Sequence, residues 1–161
     1  AFFFRAENQD AHAAYYTSMF LIQDTGEALL THMAEDFSAK PMQAYLEFWG
    51  VMQATHIQQD AICELHQAVA QGRPQQGLAW KELRTLRNQC AGHPANRQNG
   101  QRTFMGRSFG KYAAIQYECW DARTRKTTYP RVDLRRMIND YDAEATGILD
   151  DILLEMKRRW P

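Results

Sequence analysis

The sequence predicts a mainly α protein, an up-and-down bundle of about four helices with a small β-hairpin inserted before the last. Three observations predict it. Apolar side chains recur at three- and four-residue steps over three long stretches, and a shorter stretch of the same period follows a proline- and glycine-bearing linker. Between about residues 103 and 132 the period drops to two. Finally, 161 residues with 45% hydrophobic and 12% aromatic content suffice for one domain, residues 1–161, with a core of its own.

The first helix is expected from about Arg5 to Met33, where Tyr15, Met19, Ile22, Leu29 and Met33 repeat and Gly26 fills the gap. The tract from Asp36 to Pro41 breaks it, because a residue before proline is pushed out of the α region. A second helix from Pro41 to about Ala70 places Tyr45, Phe48, Trp49, Val51, Met52, Ile57, Ile62, Leu65 and Val69 on more than one face. That pattern suits a central helix. The linker QGRPQQG, residues 71–77, leads into a third helix from about Leu78 to Ala91, with Trp80, Leu83 and Leu86 as its stripe. Gly92 and Pro94 stop it, and the polar loop PANRQNGQR follows.

In the next segment Ile115, Tyr117 and Cys119 alternate with Gln116, Glu118 and Trp120, which reads as a strand. Asp121 to Arg125 is its turn, and Lys126 to Val132 the return strand, kept at an edge by Pro130. Asp133 caps the last helix, carried to about Arg159 by Leu134, Ile138, Tyr141, Ala145, Ile148 and Ile152.

Charge divides along the chain although the total is zero. Residues 1–72 carry −7 and residues 81–136 carry +9. A basic middle in an acidic chain points to a polyanionic partner, or to a contact with the protein's own acidic helices. Cys63, Cys90 and Cys119 are odd in number and widely spaced, which fits free thiols rather than a disulfide framework. The apolar run near Phe2 to Phe4 is far too short to span a bilayer, so no membrane association and a cytoplasmic location are expected. A glycine-rich phosphate loop and a serine nucleophile with its flanking pattern are absent. His56, Asp60 and Glu64 form a ladder at helical spacing that reads as a metal site or as a polar strip facing another helix or subunit. The strip is the expectation, with no metal and no cofactor.

The residues with the clearest chemistry are Arg87, Asn88 and His93 at the end of the third helix. On an unbroken helix Arg87 and His93 would stand about 120° apart. The stop at Gly92 and Pro94 takes His93 off that path, back toward Arg87 or toward a second copy. A guanidinium grips phosphate and an imidazole titrates near neutrality, so the pair suits RNA cleavage without a metal. The alternative is a surface or salt-bridged Arg87 and a His93 that caps the helix.

The stretch RNQCAGH resembles the signature of HEPN-domain proteins, an arginine, a polar residue such as asparagine, then a histidine after a short spacer. YLEFWGVMQATHIQQDAICEL before it, and GHP with the hairpin and last helix after it, resemble uncharacterised bacterial HEPN-like proteins. The resemblance implies a helical bundle that dimerises and brings two motifs to one cleft. Many members are metal-independent endoribonucleases of toxin–antitoxin or other defence systems, and some are non-catalytic binding modules. Carried over, Arg87 and His93 become catalytic and Asn88 their polar support, with RNA as substrate and an antitoxin protein as a possible partner. Arg84, Arg97, Arg102 and Arg107 are the expected RNA contacts, and Tyr112, Tyr117 and Trp120 are stacking faces or packing. The basic hairpin departs from a minimal HEPN bundle.

Overall fold

The computed structural model describes residues 8–95 and 100–160. Its frame is a pair of long helices, α1 (Gln9–Glu35) and α2 (Pro41–Ala70), joined through residues 36–40. The expected start at Arg5 lies outside the described residues. The α1 face toward the core is not quite the one predicted. Met19 is 45% exposed, and Ser18 and Thr25 are buried beside Leu29 and Met33. Small side chains let the helices approach closely, and the Thr25 hydroxyl is satisfied by donating to the Leu21 carbonyl at 2.5 Å.

Pro41 occupies the first turn of α2, where its missing N–H costs nothing. α2 is central as predicted, packing against α1 and against both later helices. Phe48, Met52, Ile62 and Val69 lie fully buried in it. Its buried glutamines are paired rather than stranded: the Gln59 amide donates to the Trp80 carbonyl at 3.1 Å, and Gln58 donates to the Ile22 carbonyl at 3.4 Å. Trp49 is the exception to the predicted burial, since it remains 44% exposed.

α3 (Leu78–Arg87) is shorter than expected, because a π-helical turn (Asn88–Gly92) replaces its last residues. Trp80, Leu83 and Leu86 form the buried stripe. The two carboxylate oxygens of Glu144 accept from Ala79 N and Trp80 N, each at 2.9 Å, and so cap α3 from another helix. A Cβ on Gly77 would run into that carboxylate. Glu144→Ala should therefore lower stability by about 1–2 kcal/mol, read as a fall in urea midpoint at constant slope, with Glu144→Gln less affected.

Among the described residues the predicted hairpin is part of a larger β region of six strands. β1 (Gln101–Phe104), β4 (Glu118–Asp121) and β5 (Lys126–Thr128) form one antiparallel sheet in the order β1-β4-β5. β2 (Gly110–Lys111), β3 (Ala114–Gln116) and β6 (Arg131–Val132) form a second, in the order β2-β3-β6. The expected turn is present, with Asp121 opposite Lys126 and the Asp121 carboxylate accepting from Arg123 N and Thr124 N. The continuous strand is broken at Tyr117, whose N–H donates to the Pro130 carbonyl at 3.2 Å, and the two halves join different sheets. β1 alternates in burial about Thr103, and β2 is too short to show an alternation. Pro130 falls between the two edge strands β5 and β6, as the rule for proline requires.

α4 (Leu134–Arg159) closes the bundle against α2 and α3. The Asp133 carboxylate accepts from Arg136 N at 2.9 Å, the predicted cap. Leu134, Ile138, Tyr141, Ala145 and Ile152 are buried, and Ile148 is half-buried. The fold is mainly α, four helices with a small antiparallel strand region before the last among the described residues.

Tyr112 ties these parts together. Its hydroxyl meets His32 Nδ1 at 2.7 Å on α1, and its ring stacks on Phe37 at 4.5 Å. Its carbonyl accepts from Leu134 N, at the start of α4, at 2.8 Å. Tyr112 and Tyr117 are buried core residues, so neither serves as a stacking face for a ligand. Cys63, Cys90 and Cys119 form no disulfide; Cys90 and Cys119 are buried and Cys63 is half-buried. No described helix is long and apolar enough to cross a membrane.

Candidate functional site

The π turn gives the end of α3 its geometry. An i→i+5 turn widens the helix and stacks residues five apart. His93 N donates to the Asn88 carbonyl at 3.0 Å, so His93 leaves the helix one wide turn above Asn88. Gly92 comes round over Arg87, and a Cβ placed on it would stand 2.9 Å from Arg87 Nη1. His93 itself is exposed. The sequence anticipated a broken helix here, and the break is a continued turn of wider radius rather than an abrupt stop.

Arg87 is held by neutral oxygens. Its Nη1 donates to Asn88 Oδ1 at 3.1 Å and its Nη2 to Gln53 Oε1, on α2, at 3.1 Å. Among the described residues no carboxylate pairs with it, and its Nε is buried without a hydrogen-bond partner. The guanidinium is thus oriented while its charge stays unneutralised. That is the state in which it can receive a phosphate.

A polar strip runs on from this point between α2 and α3. Asp60 Oδ1 pairs with Arg84 Nη2 at 3.0 Å, and its Oδ2 lies 3.5 Å from His56 Nε2. The His56–Asp60 ladder is therefore the strip facing another helix, one carboxylate oxygen being already committed to a guanidinium. Arg84, expected to contact RNA, is tied into this ion pair and stands one turn before Arg87. No group of three or more histidine, cysteine, aspartate or glutamate side chains suited to a metal occurs among the described residues.

Burial pulls the His56 imidazole below its ordinary value of 6.5; Asp60 opposes that shift, and Arg87 and Arg84 add to it. As pH falls through the ordinary value the unfolded chain takes up the proton before the folded one, so stability drops with acidification. His56→Gln should flatten that loss from about pH 7 to about pH 5, measured as denaturant midpoints across the range.

The remaining predicted contacts divide by location. Arg102 and Arg107 are exposed, on and just beyond β1. Arg97 lies outside the described residues. β1 is joined to the motif by Thr103 N, which donates to the Pro94 carbonyl at 2.8 Å. Arg102 and Phe104 flank Thr103 and point to the outer face of the strand. Sequence reasoning missed Gln53, whose helical spacing from His56 and Asp60 was the available signal.

Comparison with protein-family models, curated proteins and solved structures finds no match for this chain.

Proposed function

We propose that this chain is a HEPN-like, metal-independent endoribonuclease acting at Arg87 and His93, as a dimer that brings two such motifs to one cleft. The observation that carries the reading is the π turn that brings Gly92 over an arginine which, among the described residues, is held by neutral oxygens. His93 takes the proton of a ribose 2′-hydroxyl, and the freed oxygen attacks the adjacent phosphorus. The bond to the 5′-oxygen breaks, that oxygen takes up a proton, and a 2′,3′-cyclic phosphate remains. Arg87 binds the phosphate oxygens on which charge gathers, and Asn88 and Gln53 fix its plane. Incubating the purified chain with single-stranded RNA in a chelator tests this. Fragments ending in cyclic phosphate and 5′-hydroxyl groups are expected. RNA binding without cleavage would instead mark a non-catalytic binding module.

A further inference from the structure

Beside the motif lies an apolar cleft of about 520 Å³ between α2 and the β1 end. Its walls carry Tyr45, Leu46 and Trp49 from α2, and Phe104 and Arg107 from the strand side. Phe104 is 63% exposed and Trp49 is 44% exposed, so the cleft presents two open aromatic side chains side by side. The walls are fixed in advance. The Tyr45 hydroxyl donates to the Met105 carbonyl across the cleft, and its ring braces Trp49 edge-on at 5.1 Å.

Two connections join this cleft to Arg87 and His93. On α2, Leu46, Trp49, Gln53, His56 and Asp60 follow one another at three- and four-residue steps, so the aromatic wall runs straight into the residue that holds Arg87. On the other side Thr103, next to Phe104, is hydrogen-bonded to Pro94, next to His93. Among the described residues, the cationic side chains at this end include Arg107 in the cleft wall and Arg102 on the same face of β1 as Phe104. Glu118 sits opposite Phe104, and no carboxylate among the described residues forms an ion pair with Arg102 or Arg107.

We infer that this cleft is a base-stacking subsite for single-stranded RNA, with Trp49 and Phe104 taking bases and Arg107 and Arg102 taking the neighbouring phosphates. Aromatic faces interleaved with unpaired arginines suit any unstacked base, so the subsite selects single strands rather than a sequence. The inference rests on the RNA reading of the Arg87 site and adds how the strand is held next to it. A base in the cleft places its neighbouring phosphate toward the motif.

The test is binding of a labelled single-stranded 2′-O-methyl oligonucleotide, which lacks the attacking hydroxyl, to the full chain. Phe104→Leu and Trp49→Leu keep an apolar side chain without a ring, and each should weaken binding about tenfold. Phe104→Trp should retain the affinity, and Arg107→Gln should reduce its salt dependence. Unchanged affinity in both leucine variants overturns the subsite, even if Arg87→Ala abolishes cleavage and the nuclease reading stands. Failure of the unaltered chain to bind the oligonucleotide overturns it too. A change of sedimentation coefficient in either leucine variant assigns the cleft to a second copy of the chain and likewise overturns the subsite. A tenfold loss of binding in a chain that cleaves nothing supports the subsite and rejects the nuclease.

Discussion

His93→Ala should lower the rate of RNA cleavage by roughly two to four orders of magnitude, the usual contribution of a positioned acid–base group. Arg87→Ala should cost roughly two to three orders, the loss of one charged donor on the developing phosphate charge. Both expectations follow from where the side chains stand. His93 is exposed and without a core role, and Arg87 is held by amides rather than by a carboxylate. Neither substitution should unfold the chain. Arg87→Lys should recover little, because a lysine cannot present two donors in one plane to phosphate. Initial rates on a labelled RNA, with circular dichroism of each variant, check these expectations.

Tyr112→Ala should lower stability by about 3–5 kcal/mol, as removal of a large aromatic side chain from a filled core does. The side chain is fully buried. The substitution removes the stack on Phe37, the hydroxyl contact to His32, and a ring beneath the Arg135 guanidinium at 5.3 Å. The loss reaches three parts of the fold at once, since α1, the β2–β3 region and α4 all meet there. Tyr112→Phe should cost about 1–2 kcal/mol by breaking the hydroxyl contact alone. Urea denaturation at constant slope separates the two values. Burial already holds the Tyr112 hydroxyl well above its usual value, so it stays neutral across the working pH range.

The helices were legible because their signals are local and redundant. Pro41 and Ala70 bound α2 as read from the chain, and Asp133 caps α4 as its side chain predicts. Less legible was what depends on a partner element. Ser18 and Thr25 face the core through close helix approach, which no apolar period announces. The strand region splits at Tyr117 because its N–H is taken by Pro130, a pairing set by tertiary register rather than by alternation. Trp49 reads as a core residue by type and spacing, yet the cleft leaves it open beside Phe104. At the site, Arg87, Asn88 and His93 were visible as a motif. The π turn was not, because i→i+5 geometry carries no residue signature of its own. Gln53 was hidden by its distance in sequence from Arg87, although it lies on the same stripe of α2 as His56.

The central claim is that Arg87 and His93 act together on one phosphodiester. It is tested most directly by comparing cleavage by the unaltered chain, Arg87→Ala, His93→Ala and the double variant on the same RNA in a chelator. Two groups serving one transition state give non-additive losses, so the double variant should fall little below the worse single variant. Cleavage by either single variant at the rate of the unaltered chain would contradict the account.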